Sequence, residues 1–221
     1  VTPRGVVFLD IDGTLVPSGS SSSFLAARLG HQRELDLAEA RYASGALSNQ
    51  QVSEVDARGW RGTTPATVDR WLEDLPVIAG VDAVVAWCRE HDVEPVLASL
   101  AWQPVSAALA GRFGVTANGG PRVGLTDGVY DGTVAEHFDE HDKRDRALAL
   151  AAARGLTADR CCAVGDSRSD LPLFDAVPVS LALNAGDAAR AGATDALDTD
   201  DLTAVLPWLE RWERGFDAAG R

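Results

Sequence analysis

The segment Val6-Val7-Phe8-Leu9-Asp10-Ile11-Asp12-Gly13-Thr14-Leu15 restricts the possible folds of this chain more than any other. An apolar stretch, β-branched at Val6 and Val7, gives way to two carboxylates spaced i, i+2 and then a glycine. That pattern predicts a buried strand with charge at its C-terminal tip. Residues i and i+2 of a strand share a face, so the pleat predicts both carboxylates on one side. In open α/β sheets ligands bind at the carboxyl ends of strands. A carboxylate there can hold Mg²⁺ or attack phosphorus. Taken alone, the segment also fits an edge strand running into an Asp-Gly turn.

The rest of the chain supplies the context. Pro17 to Ser23 is rich in serine and glycine and reads as a flexible linker. From Phe24 to about Leu75 the pattern is helical. Leu35, Ala38, Glu39 and Tyr42 recur at helical spacing, Ser48 and Gln51 form a capping-box pair, and Thr64-Pro65 opens a further helix. From Pro76 onward helical faces alternate with apolar runs, among them Val93–Ala98, Cys161–Val164 and Pro178–Leu183. A hairpin is expected from about Arg122 to Val134, a helix from Lys143 to Arg154, and a last helix near Asp201 to Arg214 kinked at Pro207. Strand-helix alternation predicts an α/β fold, with a mostly parallel sheet covered on both faces.

Four segments, in order, resemble the motifs of the haloacid dehalogenase superfamily. Asp10-Ile11-Asp12-Gly13-Thr14 is similar to its DxDGT motif, and Val93–Ser99 to its strand ending in Ser or Thr. Lys143 stands where the third motif supplies a lysine, and Gly165-Asp166-Ser167-Arg168-Ser169-Asp170 is similar to GDxxxD. The resemblance implies a Rossmann-like core formed by residues 1–16 and 77–221, with a helical C1 cap domain over 17–76. The hairpin before Lys143 points to the phosphoserine-phosphatase-like branch.

The resemblance also implies roles. Asp10 is the expected nucleophile and forms an aspartyl-phosphate. Asp12 is the expected general acid and base, and its presence argues for a phosphate ester rather than a halide or phosphonate. The Ser99 hydroxyl and the backbone N–H of Leu100 are expected to donate to the transferring phosphoryl oxygens. A serine after an apolar strand is also a common helix N-cap. Lys143 would hold phosphate as a point charge, although with Arg144 and Arg146 it also fits a solvated basic face. Mg²⁺ is expected on Asp10, Asp166 and the backbone carbonyl of Asp12. Asp170 would orient Lys143 or a metal-bound water, or simply complement a helix N-terminus. Arg58 and Arg61, around Trp60, are candidates for a substrate carboxylate or second anionic group. The histidines show no metal-ligand spacing and read as surface or loop residues. Trp102, three residues past Ser99, fits core packing or a pocket wall.

Composition narrows the partners. A formal net charge of −13 opposes binding to nucleic acid or anionic membrane. No apolar run approaches a membrane span, and the three cysteines sit at apolar positions, so a reducing compartment, the cytoplasm, is expected. The expected partner is a small phosphorylated metabolite, with the protein a monomer or homodimer. Two departures from phosphoserine phosphatases weigh against L-phosphoserine. Those enzymes carry Ser-Gly-Gly where this chain has Ser99-Leu100-Ala101, and a glutamate shortly after the first motif where this chain has Ser18-Gly19-Ser20-Ser21. The expectation is a Mg²⁺-dependent phosphatase. Phosphoserine phosphatase proper, a phosphotransferase or phosphomutase, and a catalytically silent binding module are the alternatives.

Overall fold

The computed structural model describes residues 2–17 and 19–218. Strand β1 (Gly5–Leu9) pairs in parallel with β2 (Val93–Leu97) on one side and β6 (Cys161–Gly165) on the other. Outside these lie β3 (Thr116–Ala117) at one edge, and β7 (Val179–Leu183) followed by β8 (Asp195–Leu197) at the other. The order is β3-β2-β1-β6-β7-β8, parallel throughout. A separate antiparallel hairpin joins β4 (Arg122–Thr126) to β5 (Val129–Glu136).

The apolar run of β1 follows from its central position. Val7 and Leu9 pack into one core, and Val6 and Phe8 into a second on the opposite face. A strand covered on both sides has no solvent face, so it is apolar throughout rather than alternating. Cys162 and Cys161 divide between the two cores in the same way, and all three cysteines are free thiols.

Five helices lie between β1 and β2, and the first four fall in the expected helical insert: α1 (Ser21–Leu29), α2 (Gln32–Ala43), α3 (Asn49–Gly59) and α4 (Pro65–Leu72). Ser48 and Gln51 form the expected capping box of α3, and Thr64 caps α4 with Pro65 in its first turn. The remaining helices are α5 (Val81–Glu90), α6 (Gln103–Phe113), α7 (Glu140–Ala153), α8 (Leu171–Phe174), α9 (Asp187–Gly192) and α10 (Leu206–Ala218). Leu25, Ala57, Trp60 and Val68 of the four-helix segment join the core on the Val7 face of the sheet. The hairpin ties in through backbone bonds, Gly62 N–H to Tyr130 O and Tyr130 N–H to Thr63 O, both 2.8 Å. No helix among the described residues is long and apolar enough to cross a membrane.

Several expectations are corrected. The serine run is not a linker throughout. Ser20 accepts a hydrogen bond from Ser23 N–H and caps α1, which starts at Ser21, while Ser18 lies outside the described residues. The apolar residues of that helix, Phe24, Leu25 and Leu29, begin only after its first turn, so periodicity does not reveal its start. The last helix is not kinked at Pro207. Residues Leu202–Val205 form a 3₁₀ turn, and Pro207 occupies the first turn of α10, where its missing N–H costs nothing. Helix α7 starts at Glu140, capped by a reciprocal Asp139–Asp142 pair, so Lys143 lies inside it. His31 lies in the loop between α1 and α2, as one of the two expectations had it, and is buried there.

Candidate active site

The three central strands end side by side, and each delivers a polar residue to the same edge of the sheet. The ladder continues one step past the strands, through Asp10 N–H to Val164 O and Ala98 N–H to Leu9 O, both 2.9 Å. These bonds fix Asp10 next to the residues that follow β2 and β6, namely Ser99 and Asp166. Asp10, Asp12, Ser99, Leu100 and Asp166 line one cavity of about 440 Å³.

Asp12 reaches this cavity by a different route from the pleat argument. The strand stops at Leu9, and Ile11 O accepts from the N–H groups of Thr14, Leu15 and Val16 in a compact turn. That turn brings Asp12 round to the cavity. Its Oδ1 accepts from Ser21 N–H at 2.6 Å, at the start of α1. Gly13 adopts φ +78°, and a Cβ there would fall 2.1 Å from Asp166 Oδ2. Glycine is therefore required twice, by conformation and by the approach of the carboxylate.

Lys143 is one of the largest fully buried side chains. Its Nζ lies 2.5 Å from Asp170 Oδ1 and 3.1 Å from Asp10 Oδ1, the latter outside hydrogen-bond geometry. Burial pulls the ammonium toward neutrality, but Asp10 and Asp170 outweigh it and hold the lysine above its ordinary range. The neighbouring arginines take no part: Arg144 pairs with Asp145, and Arg146 with Glu136. Asp170 is saturated, since its Oδ2 accepts from the N–H groups of Asp166 and Ser167, both at 3.1 Å. Ser99 does not cap α6, whose N-cap is Trp102. Its Oγ accepts from Ala101 N–H at 3.1 Å.

Asp10, Asp166 and Asp170 bring carboxylate oxygens within 4.8 Å of one another. Burial, then repulsion by Asp170, raises Asp10 to about 7. Burial, then Asp10 and Asp170, raises Asp166 to about 8. Asp12 is also raised, chiefly by burial. A protein without a cation thus holds extra protons here. With Asp170 saturated and Asp166 Oδ1 buried without a partner, Asp10 and Asp166 are the carboxylates with lone pairs to give. Oxygen donors of this kind fit a hard divalent cation.

The sign of the pH dependence follows. Both pKa values exceed the usual carboxylate value, so from about pH 4 to about pH 8 the cation-free fold binds more protons than the unfolded chain. Stability contributed by these groups therefore falls as pH rises through that window. In chelator the melting temperature should fall from about pH 5 to about pH 8, and a divalent cation should restore it more at the upper end. A cation-induced shift independent of pH would sink this account.

Other residues at the cavity were not singled out as site residues by sequence. Glu39 and Tyr42 of α2, Asn49 and Asp56 of α3, and Arg168 all line it. The available signal was the polarity of Glu39 and Tyr42 on an otherwise apolar helix face. Glu39 lies 3.4 Å from Ser20 Oγ, and burial raises its carboxyl. Arg168 stacks over Tyr42, Cζ to ring centroid 3.9 Å. The fold does not bring Arg58 and Arg61 to the cavity. Arg58 lines a separate groove with Glu54, Thr133 and His137, and Arg61 packs over Gly132 of the hairpin. Trp102 packs in the core on the Val7 face and also lines the cavity.

A family model described as haloacid dehalogenase-like hydrolase matches residues 7–175. The chain belongs to that family. It is 28% identical over 181 residues to a phosphoserine phosphatase of Halobacterium salinarum, covering 81% of this chain and 85% of that protein. It is 24% identical to a phosphoserine phosphatase of Streptomyces coelicolor over 97% of this chain, and spans about half, 52%, of that relative's length. Among solved haloacid dehalogenase-like folds, a phospho-aspartyl intermediate analogue of phosphoserine phosphatase superposes with a TM-score of 0.83. It is 17% identical, with 93% of this chain and 99% of that one covered, a likeness of fold.

Proposed function

We propose that this protein is a Mg²⁺-dependent phosphomonoesterase acting on a small metabolite. The observation that carries the reading is the convergence of Asp10, Asp12, Ser99 and Asp166 on one cavity, with Lys143 buried against Asp10. Residues 1–16 and 77–221 act as the catalytic core, and residues 17–76 as a cap that selects the leaving group.

An Asp10 oxygen attacks phosphorus as the bond to the leaving oxygen breaks, giving an aspartyl-phosphate and an alcohol. Asp12, whose burial favours the protonated carboxyl, gives its proton to that leaving oxygen. The resulting carboxylate then takes a proton from water, whose oxygen attacks phosphorus. Phosphate departs and Asp10 is regenerated. The Ser99 hydroxyl and Leu100 N–H donate to the equatorial phosphoryl oxygens, and Lys143 offsets repulsion between Asp10 and the incoming anion. Asp10, Asp166 and the Asp12 carbonyl would hold Mg²⁺, which would supply positive charge to the phosphoryl group.

The α2 and α3 wall of the cavity offers Glu39, Asn49 and Ser53 and no cation. Such a wall disfavours a carboxylate on the leaving group and accepts neutral or amine-bearing alcohols. L-Phosphoserine is the second reading, supported by the names of the relatives, with Arg168 as the cation that would meet its carboxylate.

Phosphate release from a panel of small esters, with and without Mg²⁺, tests both. Esters of neutral and amino alcohols should turn over only with Mg²⁺, and phosphoserine at least about tenfold more slowly. Phosphoserine as the preferred ester would reverse the ranking. No release from any ester would refute hydrolysis, and transfer to added alcohols would then identify a phosphotransferase.

A further inference from the structure

Against the α3 wall of the cavity lies a polar cluster that the chemistry above does not use. Asp56 is only 2% exposed, yet carries a carboxylate. Trp102 Nε1–H donates to its Oδ2 at 2.6 Å, Trp60 Nε1–H donates to Oδ1 at 3.3 Å, and His31 Nε2 lies 2.6 Å from Oδ1. An isolated buried carboxylate is costly, so this convergence of donors is what permits it.

The donors come from three separate stretches of chain. His31 joins α1 to α2, and Trp60 follows α3 directly. Trp102 belongs to the loop between β2 and α6, three residues past Ser99. The backbone is shaped to admit the imidazole. A Cβ on Gly59 would lie 2.0 Å from His31 Nδ1, so no larger residue fits without moving the ring. The Trp102 bond differs from the other two because it alone leaves the inserted helices and reaches the loop carrying the phosphoryl donors. That loop is otherwise fixed by Ala101 N–H to Ser99 Oγ and by Gln103 N–H to Pro121 O at 2.9 Å.

We propose that Asp56 is a positioning residue: its carboxylate fixes Trp102, and through it the Ser99–Leu100 turn that faces the transferring phosphoryl group. Asp56 and Trp102 both line the cavity, so one hydrogen bond joins the wall that contacts the leaving group to the donors that meet the phosphoryl oxygens. The kinetic consequence rests on the phosphatase reading; the fixing of the loop does not.

Two indole donors to one carboxylate provide an internal control. Trp60→Phe and Trp102→Phe each delete one N–H and keep an aromatic ring, but only the second severs the link to the Ser99 loop. By amide hydrogen exchange, both should loosen residues 54–60. Only Trp102→Phe should speed exchange at residues 99–102, by roughly tenfold or more. In phosphate release, Trp102→Phe should lower kcat roughly ten- to hundredfold, as misplaced donors do, while Trp60→Phe stays within about twofold of wild type. Asp56→Leu keeps the branched side-chain shape and offers Trp102 no acceptor. It should match Trp102→Phe, and combining the two should add little further loss. It also serves if Trp102→Phe does not fold. Unchanged exchange at 99–102 in both Trp102→Phe and Asp56→Leu, or an equal kcat loss in Trp60→Phe, would overturn the proposal. If the wild type hydrolyses no ester, the phosphatase reading falls, and exchange alone decides the role of Asp56.

Discussion

Replacing Lys143 with methionine should destabilise the protein by about 3–5 kcal/mol and abolish turnover. The expectation rests on the company this ammonium keeps. It is 1% exposed and lies between Asp170 at 2.5 Å and Asp10 at 3.1 Å. Methionine fills most of the volume but leaves two buried carboxylates facing each other without a counter-charge. Breaking a buried pair from one side costs far more than the pair contributes, because the remaining charge keeps its desolvation penalty. Denaturant unfolding checks the first part. Adding Asp170→Asn to the methionine variant should recover much of the lost stability and none of the activity. A single variant as stable as the wild type would mean that Lys143 is not the counter-charge of this site.

Asp10→Asn should reduce phosphate release by roughly 10⁴-fold or more while leaving the fold intact. An amide has no anionic oxygen to attack phosphorus, so the covalent step is lost rather than slowed. Stability should move the other way. Asp10 is buried near Asp170 and Asp12, and burial first, then those carboxylates, raise its carboxyl to about 7. At about pH 8, in chelator, the wild type carries an anion that its surroundings disfavour, and the amide removes it. The variant's melting temperature should therefore equal or exceed that of the wild type there. A substantial drop would overturn the burial account, and residual turnover within about tenfold of wild type would exclude Asp10 as the nucleophile.

The catalytic edge of the sheet was legible because its signals are local. An apolar run followed by charge marks where β1 and β6 end, and a central strand has no alternative but to be apolar on both faces. The capping boxes of α3 and the 3.6-residue faces are local as well. What escaped reading is held by distant pairs. Asp56 meets His31 from 25 residues away and Trp102 from 46, and no periodicity announces either contact. Ser21 starts a helix among small polar residues that favour linkers and caps equally. The edge strands β3 and β8, two and three residues long, are too short for any alternation to register. Arg58 and Arg61 illustrate the opposite error: proximity in sequence to Trp60 says nothing about which side of α3 a residue faces.

The sheet order has a consequence for how such a protein can change. The reacting groups hang from the ends of three adjacent inner strands, while the surface that meets the leaving alcohol comes largely from residues 20–56. The two are nearly separate vocabularies, joined at Trp102. On the reading proposed above, exchanging Glu39 or Asn49 should rewrite the list of acceptable alcohols without disturbing Asp10. Kinship traced through the strand ends therefore reports a shared reaction, and a shared diet has to be read from the helices.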